Sequence, residues 1–403
     1  MNKISIKIED YKYTEFLSYE LSQNIENLVK IFSFTINIPS DNSIIKEGDE
    51  VIIDIDGEEF LTGFIEIVNK IDQGDKSIIQ ISGRDNLCDL VDSKIGAKIY
   101  KTPISFIELC KDVLKTLNYD VIDNPNNIRK QKGVSVINKY GDISILQSSD
   151  DVVHRDNDSA FEVIKRCADK RQLILNSDGS GNLIINDIGG EVCNTLLQRI
   201  RNDRNSNILS SNVDIDYSKR FYKYVVKSIP TANGNATSDT TIDPLEPIIK
   251  EKGRGGIRSN TINATGVSYD DEIRKNRIYT TFRQVSSPKE VQRIAEWENN
   301  IRKAQSFVYN CAVWGFRQNL DEDIKKNPLW RVNSLVDVVD DIKNVIGRYL
   351  IKSVKYTKNE NGTKSEMVLI DKKAYTESLF EPLVKRIKGS GNKGREIPIE
   401  PPI

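Results

Sequence analysis

The sequence predicts a β-rich α+β protein built from two similar small antiparallel β-barrel domains, an α+β region inserted between them, and an extended C-terminal tail. Three observations predict it. Apolar and polar residues alternate over short runs in the first and last thirds, which is the period of a half-buried strand. Between those regions the period shifts to that of amphipathic helices. The two strand-rich regions also repeat one order of parts. The expected divisions are residues 1–95 for the first barrel, 96–205 for the α+β region, 206–375 for the second barrel and 376–403 for the tail.

In chain order, MNKISIKIEDYKY alternates instead of presenting the continuous apolar stretch of a secretory leader. FSFTINI (32–38) sets Phe32, Phe34, Ile36 and Ile38 against Ser33, Thr35 and Asn37, a strand pattern. EVIIDIDGEEFLTGFIEIVNK (50–70) holds two strand-like runs around Asp56-Gly57, a dipeptide suited to a type I′ hairpin, and KSIIQISG (76–83) follows a Gln-Gly-Asp turn.

TPISFIELCKDVLKTLNY (102–119) then reads as a helix with Thr102 at the N-cap and Pro103 at the first helical position. Ile107, Cys110, Val113, Leu114 and Leu117 fall on one of its faces. SAFEVIKRCADKR (159–171) is a second helix, opened by a Ser159/Glu162 capping box. RQLILNSDGSGNLIIND (171–187) reads as helix end, strand, turn, strand. Strands return in NVDIDYS, RFYKYVVKSI and RIYTTFRQV, separated by residues 231–276, whose Gly, Asn, Thr, Asp and Pro content predicts a long, poorly packed loop. A helix over 287–305 follows, with Ser287 as cap, Pro288 first and Glu290 closing the box.

The repeat lies between residues 50–83 and 334–370. Each reads strand, short turn, strand with a glycine near its start, polar hairpin, strand.

Composition excludes several function classes. The 403 residues carry 58 basic and 59 acidic side chains, so no global field steers the chain to nucleic acid or an anionic membrane. No run approaches the roughly 18 apolar residues of a spanning helix. Five cysteines (Cys88, Cys110, Cys167, Cys193, Cys311) are scattered without a CxxC pair, which predicts reduced, buried thiols. With His154 the sole histidine, Ser/His/Asp and Cys/His machinery is lost unless His154 is itself the base, and no multi-histidine metal site is available.

Several segments still invite chemical readings. GRDNLCDLVDS (83–93) concentrates Arg84, Asp85, Cys88, Asp89 and Asp92, yet it has no base or oxyanion partner nearby in sequence. It reads better as a strand-to-helix corner: Gly83 ends a strand, Asp85 caps a short apolar turn, and Arg84 is available to pair with a carboxylate. NSDGSGNLIIND (176–187) approximates an EF-hand loop but lacks the acidic first residue and the bidentate glutamate, and it is flanked by strand-like runs, so a hairpin is expected. SSDDVVHRDNDS (148–159) surrounds His154 with Asp150, Asp151, Asp156 and Asp158 directly ahead of a helix, where carboxylates are favoured by the helix dipole. GRGGIRSN (253–260) lacks phosphate-loop spacing, and the basic, Gly- and Pro-rich tail has no aromatic platform for nucleic acid.

Four stretches in order carry a resemblance. FSFTINI with GDEVIIDIDGEEFLTGFIEIV and GRDNLCDLVDS resembles the N-terminal domain of Mu-like phage baseplate hub proteins, relatives of late control protein D and of the type VI spike hub. DNDSAFEVIKRCADKRQLILNSDGSGNLII is similar to that family's middle domain. SSPKEVQRIAEWENNIRKAQSFVYNCAVWGFRQ, then PLWRVNSLVDVVDD and GRYLIKSVKYT, are similar to its second barrel. The resemblance spans about residues 5 to 375.

The resemblance implies a non-enzymatic virion protein of the tail baseplate, assembled in the bacterial cytoplasm as a homotrimer. It implies adaptation of a sixfold tail tube to a threefold spike around a central channel, with tube, spike, tape-measure and other baseplate proteins as partners. Neither specific nucleic-acid binding nor stable membrane insertion follows from it. No catalytic residue, cofactor or metal is expected. The residues expected to matter structurally are Gly63, Gly83, Arg84, Asp85 and Asp92. The rival readings are a tail-associated glycoside hydrolase using a carboxylate pair such as Asp156 and Asp158, and an OB-like nucleic-acid barrel.

Overall fold

The structure, a computed structural model, describes residues 3–37, 45–73, 76–122, 134–139, 145–146, 152–155, 157–169, 173–201, 206–228, 240–242, 264–283, 288–318, 327–360 and 362–376. The strands of three or more residues are β1 (Ile4–Ile8), β2 (Tyr11–Tyr13), β3 (Ser18–Asn24), β4 (Ile31–Asn37), β5 (Glu50–Ile55), β6 (Glu58–Gln73) and β7 (Lys76–Asp85) in the first third. Next come β8 (Val134–Asn138), β9 (Leu173–Ser177), β10 (Leu183–Asp187), β11 (Leu197–Arg199) and β12 (Ile208–Ile215). These are followed by β13 (Lys223–Ser228), β14 (Thr240–Ile242), β15 (Ala264–Tyr269) and β16 (Ile278–Arg283). The last are β17 (Phe307–Trp314), β18 (Ser334–Asp340), β19 (Val345–Asn359) and β20 (Gly362–Ile370). The helices are α1 (Cys88–Asp92), α2 (Phe106–Thr116), α3 (Ala160–Asp169), α4 (Pro288–Gln305) and α5 (Lys373–Thr376).

The duplication read from sequence is present in the strand order. The first unit runs β3-β4-β7-β6-β5 and the second β12-β17-β20-β19, with β18 on the remaining edge of β19. In both, one strand is followed by a three-strand meander that folds back so that its last strand pairs with the first. Even the irregularities coincide. β6 skips Glu66 between Ile65 and Ile67 opposite β7, and β19 skips Lys352 between Ile351 and Ser353 opposite β20. Each extra residue is pinned by an ion pair, Glu66 by Arg84 and Lys352 by Glu26. The glycines of the repeat are not equivalent, however. Counted back from the bulges, Gly63 corresponds to Tyr349, while Gly347 falls two residues earlier, opposite Val338.

The two units are joined edge to edge. β19 pairs antiparallel with β3, from Ser353 opposite Asn24 to Lys358 opposite Tyr19, so both belong to one 14-stranded sheet. One apolar core runs through them, and aromatic rings cross the junction: Phe60 against Tyr356 at 5.6 Å, Tyr356 against Phe316 at 5.1 Å and Phe316 against Tyr19 at 6.1 Å. Arg317 adds a buried ion pair to Asp56 in the β5–β6 turn at 2.9 Å. That turn has the expected type I′ signature, with positive φ at Asp56 (54°) and Gly57 (83°).

The inserted region has its own core, in which α2 and α3 pack over β9, β10 and β8. Helix α2 starts later than the sequence suggested. Ser105, not Thr102, is the N-cap and shares reciprocal bonds with Glu108, while residues 104–105 pair as a short strand with 145–146. The Ser159/Glu162 box of α3 is as expected. Ser287, the expected cap of α4, lies outside the described residues.

Within the span expected as the second barrel, β14-β15-β13-β16 form a separate four-stranded sheet with α4 packed on it. Part of the expected loop 231–276 is therefore structured: β14 and β15 belong to this sheet, and Asp270 and Ile273 are buried. Polar composition hid β15 because Gly266 is needed for close packing. A Cβ there would lie 2.4 Å from the Val291 carbonyl oxygen of α4. The remainder of the loop, the segment 253–260 and the tail beyond Thr376 lie outside the described residues.

Candidate functional site

The segment 83–93 folds as a corner where β7 leaves the sheet and enters α1. Gly63 and Gly83 allow β6 and β7 to approach there. A Cβ on Gly63 would lie 2.0 Å from the Arg84 carbonyl oxygen, and one on Gly83 would lie 1.9 Å from that of Phe64.

Asp85 is fully buried and accepts hydrogen bonds from the Lys30 N–H at 3.0 Å and the Leu87 N–H at 3.1 Å. Through the Leu87 N–H it holds the start of the apolar turn of Leu87, Leu90 and Val91, but it is not the N-cap of α1. The N-cap is Leu87, which has no side-chain cap bond, and Asp85 instead closes the turn before it. Burial lifts the Asp85 carboxyl to about 6 in spite of these donors.

Lys30 completes the corner. Its buried ammonium donates to the carbonyls of Phe60 at 2.9 Å and Asp178 at 2.8 Å, lies 4.4 Å from the Phe60 ring centre, and is pulled down to about 8 by burial. Sequence reading missed Lys30, since a lysine after a Leu-Val pair carries no burial signal. The signal that could have found it is the need of buried Asp85 for a counter-charge.

Arg84 pairs with Asp92 and with Glu66, not with Asp85. Its guanidinium meets Glu66 through Nε at 2.9 Å and Nη2 at 2.5 Å, and Asp92 through Nη1 at 3.1 Å and Nη2 at 2.5 Å. These two carboxylates hold the arginine charged, with Glu66 the stronger partner. Cys88, which could be mistaken for a nucleophile beside them, is pushed up to about 11 by burial, the opposite of activation. All five cysteines are buried thiols outside any disulfide.

The described parts of two other chemical candidates are engaged in the framework. The 178–181 turn joins β9 and β10 as an antiparallel hairpin, with the Asp178 carboxylate accepting from the Ser180 and Asn182 N–H groups at 2.8 and 3.0 Å. It docks on the first unit, the Thr62 N–H donating to the Gly179 carbonyl at 2.6 Å. His154 is buried with Nε2 3.0 Å from the Asp158 carbonyl, and Asp158 pairs with Arg166 at 2.6 Å, which lowers its carboxyl below the usual range. Asp150, Asp151 and Asp156 lie outside the described residues. Among the described residues no group of three or more His, Cys, Asp or Glu is placed to hold a metal, and no helix is long and apolar enough to cross a membrane.

What the molecule presents outwardly is strand edge. β12 terminates the large sheet, and beyond the bulge β6 has β7 on one edge and, among the described residues, no strand on the other. Apolar side chains are exposed on both: Ile67 at 54% and Ile215 at 62%.

A duplicated strand unit with exposed apolar strand edges is suited to pairing with further strands in an assembly. Comparison with known proteins makes this specific. Residues 3–85 match the N-terminal domain of Mu phage baseplate assembly protein GpP-like, and residues 287–378 match the fourth domain of Mu phage baseplate assembly protein GpP. Over 99% of the chain and 96% of the relative, the sequence is 21% identical to baseplate hub protein gp44 of Escherichia phage Mu. The fold is shared with the 43 kDa tail protein of prophage MuSo2 from Shewanella oneidensis (TM-score 0.68, 20% identity, 93% of this chain and 99% of that one). It is shared also with a tail protein from Neisseria meningitidis MC58 (TM-score 0.71, 14% identity, 94% and 99%). In sequence and fold the chain resembles Mu-like phage baseplate hub proteins, with the two Mu baseplate-protein domains matched in its first and last thirds.

Proposed function

We propose that the chain acts as a homotrimer at the end of a contractile phage tail or a phage-derived injection device. In this reading it adapts a sixfold tail tube to a threefold spike around a channel for tape-measure protein and genome. The observation that carries the reading is the duplication: two equivalent five-strand units per chain, matched down to the bulges at Glu66 and Lys352, give six units from three chains. Tube and spike proteins are its partners on opposite faces, other baseplate proteins meet its periphery, and the virion baseplate is its location.

The reading is non-enzymatic. It is supported by Asp158, the described member of the Asp156/Asp158 pair, whose carboxylate is engaged by Arg166 at 2.6 Å and by the Arg155 N–H at 3.2 Å in the framework ahead of α3. The corner residues Gly63, Gly83, Arg84, Asp85 and Asp92 serve to fix how β7 departs the sheet and how the inserted region seats on the first unit.

Light scattering on the purified chain tests the oligomer. The expected mass is three times 45.8 kDa, about 137 kDa, and a clean monomer at micromolar concentration overturns the reading.

A further inference from the structure

The internal seam between the two units shows how a unit of this type completes its edge, and each chain carries the two halves of a second such seam unjoined. The second half of β19 is covered on its outer edge by β3. The equivalent half of β6, Ile67 to Gln73, pairs with β7 alone among the described strands. The strand equivalent to β3 is β12, which pairs with β17 on one edge and, among the described residues, ends the sheet on the other. Exposure follows the same contrast at equivalent positions: Leu21 and Gln23 of β3 are buried and half-buried, whereas Val213 and Ile215 of β12 are half-buried and 62% exposed.

Building on the trimeric reading above, we infer that β12 of one copy pairs antiparallel with Ile67–Gln73 of β6 in the next copy. The register is that of the internal seam. The bulges fix it, because Ile65 and Ile351 precede the skipped residues and lie opposite Gly83 and Leu369. Those residues lie opposite Phe32 and Tyr309, which in turn face Leu21 and Val213. Leu21 and Val213 therefore occupy the same step. Transferring the β3–β19 pairs sets Val68 opposite Ile215, Asn69 opposite Asp214, Lys70 opposite Val213 and Ile67 opposite Asp216.

This arrangement covers the exposed Ile215 with Val68 and sets Asn69 beside the Asp214 carboxylate, which already accepts from the Asn212 and Asn310 amides. It also satisfies the open N–H and C=O row of two edge strands that would otherwise invite uncontrolled pairing. The contact is head-to-tail, joining a second unit to a first, and the internal seam joins a first to a second. Repetition alternates the two, so a closed ring holds an even number of units, and three chains close it at six.

Directly opposed residues of an antiparallel pair lie within disulfide reach. The full chain carrying Asn69→Cys with Asp214→Cys, both exposed positions, is oxidised and run on a non-reducing gel beside an off-register control, Asn69→Cys with Ser210→Cys. The native cysteines are buried and stay out of the reaction. A second pair of variants reads the same contact without cysteines. Ile67→Asp sets like charges opposite Asp216 and raises the trimer dissociation constant about five-fold over Ile67→Lys, which sets opposite ones.

Covalent trimers from the matched pair alone, together with that difference between the Ile67 variants, are the expected result. A wild-type trimer that shows neither the matched cross-link nor the charge dependence overturns the seam and leaves the trimer standing. A cross-link closed within one chain also overturns the seam. A wild-type monomer overturns the trimer and the seam together.

Discussion

Gly63 stands opposite Asp85 across β6 and β7, so close that a Cβ on Gly63 would come within 2.7 Å of the Asp85 Cα as well as 2.0 Å of the Arg84 carbonyl oxygen. Backbone on both sides leaves no side chain to give way, and the two strands must part at the point where Asp85 is held. Gly63→Ala is therefore expected to destabilise the chain by about 2 to 3 kcal/mol. Gly96→Ala, where no atom lies within 4 Å, is the control and should change stability by less than about 0.5 kcal/mol. Urea unfolding of the two variants checks both values, and equal midpoints would remove the close-approach argument.

Arg84 holds the bulge residue Glu66 and the last residue of α1, Asp92, in one fork. Glu66 and Asp92 are 35% and 55% exposed, so solvent screens the cluster and its contribution is modest. Arg84→Lys, which keeps the charge but loses the planar fork, should cost about 1 kcal/mol. A double-mutant cycle with Glu66→Gln should show a coupling below about 1 kcal/mol that shrinks in about 1 M salt. A coupling indifferent to salt would mean that packing, not charge, ties Arg84 to the bulge.

The duplicated architecture was legible because it is written in period-2 alternation and in turn dipeptides, both local signals. Asp56-Gly57 and the run around Phe32 and Phe34 state their conformation within a few residues. What was not legible depends on distant partners. Arg84 pairs with Glu66 because a bulge turns Glu66 outward, and nothing in FIEIV announces a bulge. Lys30 is buried because Asp85, Phe60 and Asp178 converge on it from three segments. Residues 264–269 read as loop because Gly266, which weakens a strand in isolation, is what lets α4 lie against it. The fusion of the two units through β3 and β19 is likewise a long-range pairing with no local mark.

Asp85 gives the corner a pH dependence whose sign is fixed. Its carboxyl is raised to about 6 in the folded chain, above the ordinary 3.8, so the folded state binds the proton more tightly than the unfolded one. The contribution is complete below about 4 and is lost as pH rises through about 6. The stability of the wild type relative to Asp85→Asn should therefore grow as pH falls from 7 to 4. Other carboxylates, such as Asp92 and Asp158, are lowered and lose stability over the acid range, but they are common to both proteins and cancel in the difference. Thermal unfolding of the pair across this window is the measurement. A difference that is flat or shrinks toward acid would place the Asp85 charge in water.

In the smaller sheet, Arg220 and Asp270 form a buried pair, 2% and 1% exposed, with Nε and Nη2 each 2.9 Å from a carboxylate oxygen. Arg220 also stacks on Tyr217 and reaches Glu272, but Glu272 is half exposed and is shared with Lys303. A buried guanidinium that loses its main partner cannot recover its hydration, so Asp270→Asn should cost about 3 kcal/mol. Replacing both members with apolar residues, Arg220→Met with Asp270→Leu, removes the orphaned charge and should cost less than the single change. The damage should also stay local. Among the described residues no strand of this sheet is hydrogen-bonded to the large one, so amide hydrogen exchange should quicken in β13 and β15 while β4 and β7 keep their protection. Equal loss of protection in both sheets would show that the small sheet and the duplicated units unfold as one.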